Sequence, residues 1–207
     1  MAIYEPISKV NLERITNGIF AFTMTLLARN ILMPDPGAIT DMLTFGNFFG
    51  KSILTVIDFV GIFILLAMFW MLFFQMFHRM KTYDYHFLHV HMLALMAIVM
   101  LPFTSAFTGL SQNFPFADFF FQANYLMLGV ILAYLWYYAR SRPELLDPGL
   151  TDRDAQFLFH KCLVPPAVAG IGIIMVFSGA RYLDLLYFLP FIVIAIFFRN
   201  PPVEPAG

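Results

Sequence analysis

The stretch SILTVIDFVGIFILLAMFWMLFFQMF, residues 52–77, is 26 residues long and carries one charged side chain, Asp58. About 20 mainly apolar residues, each rising 1.5 Å, carry a helix across the hydrocarbon core of a bilayer. Comparable apolar runs lie at 15–33, 86–108, 117–139 and 157–178, with a shorter one at 182–198. Residues that break helices stand between them: Pro34, Pro36 and Gly37; Gly109 and Pro115; Pro143 through Pro148 and Gly149; and Gly179. The pattern predicts an all-α integral membrane protein, with residues 1–207 forming a single domain of six transmembrane helices.

Composition points the same way. Of 207 residues, 60% are hydrophobic, 18% aromatic and only 12% charged, and the mean hydropathy is +0.77. One water-facing globule could not hide that much apolar surface, so lipid is the expected solvent and partner. The net charge of −1 lacks the basic excess of a nucleic-acid binder. The single cysteine, Cys162, allows no intrachain disulfide and is expected to be a packing residue. Glu5, Glu13 and Arg14 interrupt any cleavable signal pattern, so the first apolar run is expected to remain in the mature protein.

Lysine and arginine set the orientation. Lys9, Arg14, Arg79, Lys81, Arg140, Arg142, Arg153, Lys161 and Arg199 fall on one side of the six runs, against Lys51 and Arg181 on the other. The excess predicts cytoplasmic termini, with the 109–117 loop outside. Aromatic residues gather at the expected borders, among them Phe45, Phe48, Phe49, Phe114, Phe116 and Trp136 to Tyr138, as in an interface belt. Pro102, Pro165, Pro166 and Pro190 lie in or near spans and are expected to mark kinks.

The run from Gly18 to Leu27, GIFAFTMTLL, resembles the first helix of the transmembrane protein 175 family of endosomal, lysosomal and prokaryotic potassium channels. Phe63, Trp70 and Phe77 on the second run, Tyr83-Asp84 entering the third, and Leu101-Pro102-Phe103 with Gly109 closing it continue the resemblance in order. The length resembles the single-repeat prokaryotic members. The resemblance implies a prokaryotic plasma-membrane protein, a homotetramer around a pore lined by the first helix, and potassium ions as the permeant species. The family's Arg, followed after three residues by Phe-Ser-Asp, reads here Asn11 and Ile15-Thr16-Asn17. These changes conserve size better than charge, so helix-start hydrogen bonds are expected to survive and an Arg–Asp ion pair is not. The paired histidines usual after the second-helix tryptophan are Phe73-Phe74, and the asparagine usual early in the third helix is His91.

No segment resembles the Thr-Val-Gly-Tyr-Gly loop of carbonyl selectivity filters. Spacing by three and four places Phe22, Thr25 or Leu26, and Arg29 along one face of the first helix. Phe22 and Leu26 would make apolar rings that gate by dewetting, with Thr25 hydroxyls between them; the resemblance similarly implies constrictions at Phe22, Leu26 and Arg29. The competing reading of such a stripe is plain helix packing.

A charge inside a span costs roughly 2.5 kcal/mol or more unless it is answered. Arg29 and Asp58 both fall in the outer halves of their runs, and an ion pair between them is expected to lock the first two helices. The alternatives are an Arg29 that snorkels outward, or an unpaired ring favouring anions.

Histidines 78, 86, 89 and 91, with His160 further on, do not present the i, i+4 pair of a metal-binding helix, and neither metal nor another cofactor is expected. Ser111, Ser141 and Ser178 stand without a nucleophile elbow, so an enzyme is not expected. The function expected is a potassium-permeable cation channel. The alternative is a secondary carrier, or a non-conducting relative, that uses Arg29 and Asp58 structurally or for substrate.

Overall fold

A computed structural model of the chain describes residues 9–31, 35, 37, 39–108, 114, 116–179 and 186–198. Glu5, Pro34, Pro36, Gly109, Ser111, Pro115, Arg181, Arg199 and the first residues of the sixth run lie outside the described residues. Among the described residues six α-helices follow one another: α1 Lys9–Leu27, α2 Met42–His78, α3 Tyr85–Ala106, α4 Ala117–Arg140, α5 Asp152–Ser178 and α6 Leu189–Phe197. Short 3-10 turns cover Ala28–Asn30 and Pro143–Leu145. Among the described residues, four helices, α2 to α5, are long and apolar enough to cross a membrane.

Helix starts follow local chemistry that a search for apolar runs misses. Asp41 accepts the Thr44 N–H at 2.7 Å, while the Thr44 hydroxyl oxygen accepts the Asp41 N–H at 3.1 Å. This capping box starts α2 ten residues before the apolar run, so the helix reaches about 55 Å at 1.5 Å per residue. In α1 a polar turn precedes the apolar part, with Lys9 and Glu13 paired one turn apart at 3.9 Å. This helix stops at Leu27, which leaves Arg29 on the terminal 3-10 turn rather than inside the α-helix. At the far end of α5, Gly179 adopts φ 72°, the left-handed conformation that closes a helix most easily with glycine.

In the bundle α4 packs between α3 and α5, α1 rests on α2 and α3, and α6 leans on α5 and α2. Trp136 is fully buried and donates its indole N–H to the Ala155 carbonyl at 2.9 Å, tying α4 to α5. Cys162 is buried among these helices. Large apolar side chains cover the outside as well, including Phe74, Phe103, Ile174 and Phe177. Water would not tolerate an apolar surface of this extent, and a bilayer would.

Asp84, just before α3, ties the loop to the bundle. Its carboxylate accepts the Phe87 N–H at 2.8 Å as an N-cap and also accepts the Tyr138 hydroxyl of α4. Partial burial pushes this carboxyl up, but those two hydrogen bonds and the charges of Arg142 and His86 outweigh it and hold the group below its ordinary 3.8. A depressed folded value stabilises the fold above the ordinary carboxylate range and loses that contribution as pH falls through the folded value. Asp84→Asn is therefore expected to flatten the acid limb of a thermal-midpoint titration below pH 3.8. Asp84→Ala, which also removes the cap, should cost about 1 kcal/mol at neutral pH.

Candidate functional site

The two sides of α1 differ. Leu12, Thr16, Phe20, Thr23 and Leu27 are buried, at spacings of three and four. On the opposite side Asn11, Ile15, Gly18, Phe22, Thr25 and Arg29 are exposed, again at spacings of three and four. Phe22 is 61% exposed. Thr25 donates its hydroxyl to its own helix at Ala21 O, 2.8 Å away, which leaves the lone pairs outward. Leu26 is half-buried, to one side of this stripe. One continuous surface of the first helix is thus left uncovered by its own subunit.

Polar side chains on or near the buried side hold α1 at several levels. Near its start, Lys9 Nζ donates to Met80 O at 2.7 Å. Thr16 donates its hydroxyl to Leu12 O at 2.8 Å and stands 2.8 Å from His91 Nε2. A hydroxyl has one proton, so with that proton on Leu12, His91 Nε2 serves as the donor. Rings of Phe73, Phe77 and Phe87 surround the imidazole, with centroids 5.2, 5.3 and 6.2 Å away. One residue further along α1, Asn17 Oδ1 accepts the Trp70 indole N–H at 2.8 Å. At the other end, Asn30 Nδ2 donates to Pro102 O at 3.0 Å and to Ser105 Oγ at 3.1 Å.

Two of the four changed motif residues, Thr16 and Asn17, therefore carry interhelical hydrogen bonds without a charge. The His91 imidazole of α3 stands edge-on to the Phe73 ring. Thr16→Val is expected to lower stability by about 1–3 kcal/mol, because it leaves a buried His91 N–H unpaired, whereas Thr16→Ser should retain most of it. Thermal midpoints of the two variants in detergent check this.

Between α1 and α2 a cavity of about 350 Å³ opens beside the stripe, with Glu13, Thr16, Asn17, Trp70, Phe74 and His78 among its lining. Arg29 is exposed and Asp58 half-buried. Lys9 pairs with Glu13 and Arg142 with Glu144, at 3.9 and 3.5 Å. The histidines face separate partners: His86 meets the Tyr134 hydroxyl at 2.9 Å, His89 the Tyr85 carbonyl at 2.6 Å, and His78 stacks on Phe74. Sequence reasoning passed over Asn30 and Lys9 as anchors. A polar asparagine within an apolar run was the available signal for the first.

These features define a multi-pass helical membrane protein whose first helix is anchored on one side and open on the other. The family expected from the first three helices is the one found: residues 11–102 match the family described as endosomal/lysosomal potassium channel TMEM175. Among solved structures, the chain is similar to a lysosomal potassium-selective channel TMEM175 homolog from Chamaesiphon minutus. The identity is 17%, the TM-score is 0.70, and 94% of this chain and 98% of that chain are covered. No curated protein matches the chain. The fold is thus that of the Chamaesiphon channel, and with its apolar helices the chain is an integral membrane protein.

Proposed function

We propose that the chain is one subunit of a potassium-permeable cation channel in a prokaryotic plasma membrane, with both termini cytoplasmic. Four copies place α1 around a central pore. Phe22 and Leu26 form an apolar constriction, Thr25 offers hydroxyls within it, Arg29 lies toward the outer mouth, and no carbonyl selectivity filter takes part. The observation that carries this reading is the uncovered stripe through Gly18, Phe22, Thr25 and Arg29, set opposite a buried side rich in interhelical hydrogen bonds. Unlike the apolar sides that the other helices leave bare, this stripe carries Thr25 and Arg29, whose polar groups hydrocarbon does not solvate.

The motif changes are compatible with this reading. Thr16 and Asn17 keep α1 in register with α3 and α2 through neutral hydrogen bonds. An Arg29 and Asp58 ion pair that locks α1 to α2 belongs to the same proposal. Flux assays on purified protein in proteoliposomes test the function, using opposed potassium, sodium and chloride gradients. Electrodiffusive potassium flux is the expected result. Saturable, coupled flux would move the assignment to a carrier, and chloride flux to an anion pathway through exposed Arg29. An assembled oligomer with no flux would make this a non-conducting relative.

A further inference from the structure

Where α2 ends, against α5, two cationic side chains converge, and among the described residues neither has a carboxylate at ion-pair distance. Arg79, the residue that closes α2, donates from Nη1 to the Gln75 carbonyl at 3.0 Å. Lys161 of α5 reaches the same glutamine, its Nζ 3.4 Å from Gln75 Oε1 and 4.8 Å above the Phe157 ring centroid. All three residues are half-buried. Neither cation belongs to the ion pairs found among the described residues. Phe157 also contacts Phe198 at 5.4 Å, so the end of α6 closes a third side. Ile171 on α5, and Ile192 and Ile196 on α6, are exposed on these two helices.

Two cations held together beside aromatic rings repel each other and lose part of their hydration, so an anion placed between them relieves both costs. Guanidinium and ammonium groups together suit a phosphate: the first binds as a planar fork and the second as a point charge. An apolar surface running away from that charged end suits acyl chains, and basic pockets between transmembrane helices are where anionic headgroups settle. We propose that Arg79 and Lys161 hold the phosphate of an anionic phospholipid whose acyl chains lie along the exposed sides of α5 and α6. The proposal goes beyond ion conduction. It requires only that this end of the bundle lies at a headgroup layer, whichever leaflet that is.

The test uses the full chain in nanodiscs of phosphatidylcholine alone and of phosphatidylcholine with phosphatidylglycerol. Thermal midpoint and lipid phosphate retained per protein are the readouts. Phosphatidylglycerol should raise the midpoint of the wild type and of Lys161→Arg, which keeps the charge. In the double variant Arg79→Gln/Lys161→Gln the rise should vanish and phosphatidylglycerol retention should fall about tenfold, while Lys81→Gln should behave as the wild type. Inorganic phosphate added to the phosphatidylcholine sample should do nothing. A wild type indifferent to phosphatidylglycerol would overturn the proposal, as would an equal gain in the double variant. Equal stabilisation by inorganic phosphate would overturn the lipid as the source. None of these readouts depends on conduction.

Discussion

Alanine in place of Phe22 is expected to raise potassium flux through proteoliposomes about tenfold at equal protein density, which corresponds to a barrier lowered by about 1.4 kcal/mol. The reason is geometric. Phe22 stands on the bare side of α1 with 61% of its surface exposed, so its truncation removes little packing from within the subunit. If four such rings face one another, each phenyl contributes apolar surface to a constriction that resists wetting, and a methyl group does not. Polar Phe22→Asn should act in the same direction by supplying hydrogen bonds to water. The control is Phe20→Ala on the opposite side of the helix. Phe20 is buried against Phe73, with ring centroids 6.0 Å apart, so its truncation should cost stability by about 3–5 kcal/mol without opening the pore. Equal flux from wild type and Phe22→Ala, with both correctly assembled, would remove Phe22 from the constriction.

The second large effect concerns the joint between α4 and α5. A Cβ added at Gly129 would lie 2.8 Å from both the Cδ and the backbone nitrogen of Pro166. Neither atom can step aside, since the proline ring and its backbone are fixed within α5. Gly129→Ala must therefore separate two helices whose contact also includes the Trp136 to Ala155 hydrogen bond. Overpacking of this kind costs about 1–3 kcal/mol and occasionally more, and Gly129→Leu should leave no folded protein in the membrane fraction. Gly172 supplies the comparison. There the added Cβ would meet Gln122 Oε1 at 2.4 Å, the end of a side chain that can rotate, so Gly172→Ala should be the milder change. Thermal midpoints of the two alanine variants would rank them, and a Gly129→Ala protein as stable as wild type would show that α4 and α5 yield more readily than their packing suggests.

Pro165 and Pro166 illustrate how much was legible in the residues. Two prolines in an apolar run signal a departure from a regular helix, yet α5 continues from Asp152 to Ser178 with both inside it. What the sequence could not disclose is that Pro166 seats itself on Gly129, 37 residues earlier, which turns a kink signal into a packing contact. Capping chemistry was legible but overlooked: Asp41 and Thr44 mark the start of α2 by their spacing alone.

The amino-acid sequence by itself determined the solvent of this protein and the existence of its helices, because mean hydropathy, run length and capping residues act locally and need no partner. It also determined that Asn11, Ile15, Phe22 and Thr25 share one helical surface, since 3.6 residues per turn requires it. Only the tertiary structure decided that this surface is the bare one, that Thr16 meets His91, and that Arg79 and Lys161 converge on Gln75. The physical reason lies in the membrane. A helix in water shows its buried side as an apolar stripe, but a helix in lipid is apolar on both its packed and its lipid-facing sides, so periodicity no longer says which neighbour each side will meet.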